Sequence, residues 1–368
     1  MPGKFLQSVA STVILAGALA TLGPDSRPAT AATWVNATGN LASMASECGN
    51  LTLLSAVPGT GSILAGVAQK GLWINSSGTT WTHLGDGAGS DVITNRPSWI
   101  VYDPVSPAVF WESGIYNGGG IYKTTDNGST FKRLGTISHN DYVSVDLTDP
   151  ARQTLLAGGH EQSQTIYKSV NGGTSFTNIG GNMPAGTKFT TQPIAINAQT
   201  YVVNSQGWGG GTAGIYRTVN GGTSWQQVST AEVNGPPLFA TNGTIYWNNG
   251  GSLIKSSNQG QTWTNVGSNL HSGITPIQLP DGRLAAFSNN AIAISANEGA
   301  TWTTITPTLP YNNAAGLVYS AQRQAFFIWK WDCGNIVLPD AIQRLDYPVA
   351  GPGPLPSAPA NLRIISSH

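Results

Sequence analysis

The amino-acid sequence predicts an all-β protein, a seven-bladed β-propeller whose ring is closed by an N-terminal strand. Three observations point there. A short turn motif returns five times in good form, as Thr124-Thr-Asp-Asn-Gly-Ser-Thr-Phe131, Ser169-Val-Asn-Gly-Gly-Thr-Ser-Phe176, Thr218-Val-Asn-Gly-Gly-Thr-Ser-Trp225, Ser256-Ser-Asn-Gln-Gly-Gln-Thr-Trp263 and Ser295-Ala-Asn-Glu-Gly-Ala-Thr-Trp302, with a worn copy ending at Gly78-Thr-Thr-Trp81. Runs rich in β-branched and aromatic residues fill the intervals. The composition is turn-rich and aromatic-rich, with 46 glycines, 12 tryptophans and only 9% charged residues, far below the usual level of about 25%.

The motif has the chemistry of a tight hairpin. Its Asp or Asn folds back onto the following backbone amides, Gly takes the left-handed position, and the closing aromatic wedges between neighbouring sheets. Each copy follows three β-rich runs and precedes a fourth. Blade two reads Trp99 to Tyr102, Ala108 to Trp111, Gly120 to Lys123 and Phe131 to Leu134. The same four-strand unit starts again at Leu51, Val143, Gln192, Pro237 and Pro276. A seventh unit offers Gly316 to Tyr319, Ala325 to Trp329 and Ala341 to Leu345, and lacks its turn motif and its fourth strand. Thr33 to Thr38 reads like the missing strand, so the ring is expected to close there. Cys48 and Cys333 then flank the seam and are expected to form a disulfide. The resulting boundaries are a signal peptide over 1–32, the propeller over 33–347 and an irregular Pro- and Ser-rich tail over 348–368.

The start of the chain fits secretion to the extracellular space. Lys4 supplies a positive end, Val9 to Leu22 is apolar, and Ala29 to Ala32 are small residues of cleavage-site type. Sequons at Asn36, Asn50, Asn75, Asn127 and Asn242 fit a glycoprotein. The formal net charge is zero and there is no basic cluster. Nucleic acid and membrane surfaces therefore lose their electrostatic footprint as partners, and a monomer is expected.

The turn motif resembles the Asp-box, or BNR, repeat of sialidase-like propellers. Its residues are structural. Chemistry is expected on the opposite face, where the loops between second and third strands and the links between blades are longest in blades one to four. Those loops hold Arg96 and Tyr116 of blade two, Ser138-His-Asn-Asp-Tyr142 and His160 and Glu161 of blade three, Trp208 of blade four and Trp331 of blade seven. His139 and His160, then Tyr201 and Arg217 one blade later, resemble the catalytic set of the seven-bladed propeller polysaccharide lyases. These are the ulvan lyases and the fungal lyases that cleave L-rhamnose-α-1,4-D-glucuronate in gum arabic and arabinogalactan. The resemblance implies β-elimination at a 4-linked uronate, without metal or organic cofactor. Arg217, helped by His160, would neutralise the carboxylate, and His139 and Tyr201 would move the protons. Arg96, Tyr116, Glu161, Trp208 and Trp331 would bind the polysaccharide.

Other readings stay open. A non-catalytic carbohydrate-binding propeller would use the tryptophans as stacking surfaces. A sialidase resembles this chain in its repeats but needs an Arg-Ile-Pro segment, which is missing here. A xyloglucanase-like hydrolase pairs two such propellers. The lyase reading predicts that His139, His160, Tyr201 and Arg217 converge in one pocket on the face away from the turns.

Overall fold

A computed structural model describes residues 33–48 and 50–349. The expected leader and the tail beyond Val349 lie outside that range. The described strands form seven antiparallel four-stranded sheets. Six are built from consecutive strands. The seventh runs in the order Val35–Asn36, Ile342–Asp346, Ala325–Lys330 and Ala314–Ser320. The N-terminal strand therefore completes the blade that holds Trp329, with Val35 opposite Arg344 and Asn36 opposite Gln343.

Seven apolar clusters hold the ring together, and each is shared by two neighbouring blades. Leu53, Leu64 and Leu72 of blade one pack with Ile100, Phe110 and Phe131 of blade two. At the seam, Leu51, Ile63 and Trp81 pack with Phe327, Ile342 and the N-terminal Leu41. Phe131, Trp81 and Trp225 close their turns and reach back onto the preceding blade. Both faces of every sheet are covered, which is why the strands read as near-continuous apolar runs such as Ile63–Val67.

The turns have the expected geometry. Asn171 Oδ1 accepts from the Ser175 amide at 3.0 Å, and Ser169 Oγ accepts from the Gly173 amide at 2.9 Å. Gly173 has φ of 92°, a conformation that suits glycine. The same pair of bonds recurs at Asn258 and Gly260. First strands begin earlier than the sequence suggests, at Arg96 and Asn140 instead of Trp99 and Val143. Bulges at Pro97/Trp99 and Asn140/Tyr142 let those ladders continue past residues that break the alternation.

Two of the sequon asparagines are structural. Asn50 and Asn75 are buried, and their side-chain amides donate to Ile336 O at 2.6 Å and Thr80 O at 2.7 Å. Tyr347, the last residue of the expected propeller, and Val349, in the expected tail, pack into the cluster between blades six and seven.

Cys48 and Cys333 are disulfide-bonded across the seam, 285 positions apart in sequence. The segment around Cys48 is also laced to blade seven by Ser46 N to Asn335 O at 2.9 Å and Val337 N to Met44 O at 3.0 Å. Replacing both cysteines by Ser is expected to lower stability by about 2–5 kcal/mol, because the bond closes nearly the whole chain. Denaturant unfolding of the two proteins checks this, and unchanged stability would show that strand pairing alone closes the ring.

Candidate functional site

Strands alternate in direction, so each blade presents two kinds of end. The turn motifs and the first-to-second-strand loops lie on one face. The second-to-third-strand loops and the inter-blade links lie on the other. In blade two, Arg96 opens the first strand and Tyr116 follows the second, Phe110–Ile115. In blade three, His139 precedes Asn140–Val145 and His160 follows Leu155–Gly159. All four residues therefore stand on the face away from the turns.

There they form one constellation. Tyr116 Oη lies 2.8 Å from His160 Nε2. His160 Nδ1 lies 2.9 and 3.0 Å from the two carboxylate oxygens of Asp141. This contact makes Nδ1 the protonated nitrogen and turns Nε2 toward the tyrosine. The Arg96 guanidinium sits over the Tyr116 ring, 4.8 Å from its centroid. The His139 ring meets the same tyrosine edge-on at 5.4 Å. Glu161 Oε1 is 3.7 Å from His160 Nε2. Behind Arg96 stands Glu47, whose Oε1 is 3.8 Å from the Arg96 terminal nitrogen and accepts from Asn117 Nδ2 at 2.7 Å. Glu47 neighbours Cys48, so the seam segment reaches into blade two.

The backbone here is strained. Tyr116, Asn117, His139 and Glu161 have φ of 57, 48, 55 and 53°. Left-handed backbone costs about 1–2 kcal/mol for a residue with a Cβ, and its clustering at loop ends aims the side chains inward. The His160 amide donates to His139 O at 2.6 Å, which ties the two histidine loops together.

Burial pushes the His160 imidazole pKa down, but the hydrogen bond and charge of Asp141, with Glu161, outweigh it and leave the pKa above its ordinary value. The Tyr116 phenol is raised by burial and by Glu161, against the lowering effect of Arg96. A cavity of about 290 Å³ opens beside His160, Asp141 and Glu161 and is walled by Phe189, Gln206 and Trp208. Trp208 is exposed and lies 4.4 Å from the Phe189 ring. Phe189 bridges Ser163 and Gln206, so blades three and four build this wall together. Among the described residues no three His, Cys, Asp or Glu side chains are grouped to hold a metal ion.

Tyr201 and Arg217 are elsewhere, which corrects the expected convergence. Tyr201 begins its strand and pairs with Thr218, the residue that opens the turn motif of blade four. Its hydroxyl donates to Ala198 O at 2.5 Å, and the Lys168 ammonium sits over its ring. Arg217 is one residue from the same turn and donates from Nε to Gln259 O at 3.0 Å. Both sit on the turn face, at the opposite end of the strands from His139 and His160. Strand direction decides this: the second strand starts on the turn face and the third ends there. Trp331 follows the second strand of blade seven, is exposed, and is held by Asn313 Nδ2 donating to its carbonyl at 2.8 Å. It shares the face of the constellation without touching it. Asp141 and Glu47 were not singled out in the sequence. Asp141 lies in the Ser138–Tyr142 link, which was legible as a polar loop. Glu47 shows only as the neighbour of a seam cysteine.

Residues 177–326 match the family model of the DUF6242 beta propeller domain. No curated protein matches the chain by sequence. Solved structures share its fold. A GH74 enzyme of Niastella koreensis is 18% identical with a TM-score of 0.59, over 84% of this chain and 44% of that one. The extracellular domain of a proposed one component system of B. thetaiotaomicron is 12% identical with a TM-score of 0.58, over 85% and 40%. YCF48 from Cyanidioschyzon merolae is 14% identical with a TM-score of 0.54, over 86% and 99%. At such identities the likeness is one of fold. The chain spans 44% of the Niastella enzyme and 56% of the GH74 xyloglucanase from Xanthomonas campestris. No described helix is long and apolar enough to cross a membrane.

One buried acid lies under this site. Glu112 is fully buried, and Asn95, the residue before Arg96, donates to it at 3.4 Å. Burial pushes the Glu112 carboxyl well above the usual range, more than the Asn95 hydrogen bond lowers it. A raised folded pKa favours the neutral form, so stability is full below the unfolded carboxyl pKa and falls as pH rises toward the folded value. Glu112→Gln is therefore expected to match the wild type near pH 4 and to exceed its stability at pH 8. Unfolding curves at the two pH values measure this, and an equal difference at both would refute it.

Proposed function

We propose that this chain is a secreted polysaccharide lyase that cleaves a 4-linked glucuronate by β-elimination, with the rhamnose-α-1,4-glucuronate caps of arabinogalactan as its substrate. The observation that carries the reading is the Tyr116–His160–Asp141 relay, with a guanidinium above the tyrosine and a free imidazole beside it. That set supplies what the reaction needs. The proton at C5 of a uronate is removable only once the adjacent carboxylate charge is offset, and Arg96 is the cation for it. It takes the part that sequence reading gave to Arg217, and Tyr116 takes that of Tyr201.

The steps then follow. His139, whose ring makes no side-chain hydrogen bond among the described residues, takes the C5 proton. The freed electron pair forms the C4–C5 double bond, and the C4–O4 bond breaks with its pair on oxygen. Tyr116 gives its proton to O4. The His160 imidazolium, held by Asp141, returns a proton to Tyr116. His139 and His160 regain their starting states by exchange with water. Trp208 offers an exposed ring for the neighbouring sugar.

The first test is the ultraviolet absorbance of the conjugated unsaturated uronate, read on glucuronate-capped glycans. Binding without that product would favour a non-catalytic carbohydrate-binding propeller. Tyr116→Phe is expected to lower kcat by at least about a hundredfold, the usual reach of a lost proton-transfer group. Arg96→Ala is expected to lose about 10²–10³ in kcat/KM, with little rescue by Lys because the planar fork is gone. The imidazolium form of His160 is the active one, so activity should fall as pH rises through its raised pKa. Asp141→Asn removes the group that raises it, and should move that falling limb to lower pH. A limb that stays in place would remove His160 from the relay.

A further inference from the structure

The relocation of Arg217 leaves a charge without a counterpart. A second cavity, of about 490 Å³, opens on the turn face between blades four and five. Arg217, Gln226 and Trp225 of blade four line one side of it, and Gln261 and Thr262 from the turn of blade five line the other. Arg96, Arg152, Arg283 and Arg344 each pair with a carboxylate, and Arg133 and Arg323 each turn a terminal nitrogen to a backbone carbonyl. Arg217 pairs with none among the described residues. Its Nε is spent on Gln259 O, and its two terminal nitrogens have no described partner. The side chain is half-buried, and burial alone pulls its pKa down. A guanidinium drawn partly out of water with no anion beside it is unfavourable until an anion arrives.

The wall around it is specific in kind. The side-chain amides of Gln226 and Gln261 make no hydrogen bond to any described residue. The Trp225 indole is buried to nine-tenths, and its Nε1 has no partner. The groove thus combines one planar two-pronged cation with neutral amide groups and a hydroxyl. The fork fits a carboxylate held by two parallel hydrogen bonds. The amides serve neighbouring hydroxyls, which a sugar ring has on every side.

We propose that this groove is a second binding site, separate from the relay, for the carboxylate of an acidic sugar. The choice of a sugar over another carboxylate rests on the proposed function. The choice of an anion rests on Arg217 itself.

The experiment uses the full chain and glucuronic acid as probe, followed by calorimetry or ligand-observed NMR. In an Arg96→Ala protein, with the first site disabled, glucuronate binding is expected to persist. Adding Arg217→Gln should then weaken it at least tenfold. Glucose, which lacks the carboxylate, should not bind. Arg217→Gln alone should leave turnover of a glucuronate-capped glycan within twofold of wild type. Equal glucuronate binding with and without Arg217 would overturn the site. Acetate or an acidic peptide binding as tightly as glucuronate would overturn its sugar character. Loss of turnover in Arg217→Gln would return that residue to catalysis. If no glycan is turned over by the wild type, the lyase reading fails while the binding comparison still decides this site.

Discussion

Each sheet of this protein is apolar on both faces, and neither face can be left in water. Seven blades solve this only by packing in a closed circle, where the seventh covers the first. The closure rests on very little backbone, the two-residue strand Val35–Asn36 added to the outer edge of the last blade. Around it the protein concentrates its reinforcement. The seam cluster holds Leu41, Trp81, Phe327 and Trp329, the disulfide joins Cys48 to Cys333, and Arg323 donates from Nη2 to Asn75 O at 2.6 Å. A ring opened at one point would expose two apolar sheet faces, so this short pairing supports every other interface.

The same closure makes a site. Because the seam segment must cross from blade seven to blade one on the loop face, it carries Glu47 against Asn117 and Arg96 of blade two. The disulfide that staples the ring therefore also fixes the rear wall of the Arg96, Tyr116 and His160 cluster. Stability and site geometry share one set of bonds. Reinforcement by residues that are themselves anchored holds Arg96 in place over the Tyr116 ring.

The two faces differ in how they are specified. The turn face is repetitive. One hairpin recurs, each copy satisfied by its own Ser or Thr hydroxyl and Asp or Asn side chain, as at Thr124 and Asp126. The loop face is irregular, and its backbone departs from easy conformations at Tyr116, Asn117, His139 and Glu161. Local hydrogen bonding builds the first face with little reference to the rest of the chain. The second face depends on contacts between blades, such as His160 with Tyr116 and Phe189 with Ser163.

That difference sets what the sequence determined alone. The repeat, the four-strand unit, the ring of seven, the closing strand and the cysteine pair are legible because each follows from short-range chemistry: turn residues at fixed offsets and apolar runs between them. The polar loops of blades two and three are legible as well, and with them His139, His160, Arg96 and Tyr116. Partnership is not. Tyr201 and Arg217 lie near the histidines in the chain, but strand direction carries them to the far face. Tyr116 and Asp141 come from different blades and meet only at His160. A propeller strand turns back every few residues, so nearness in sequence says which blade a residue belongs to, and only the packed ring says at which end it stands and what it touches.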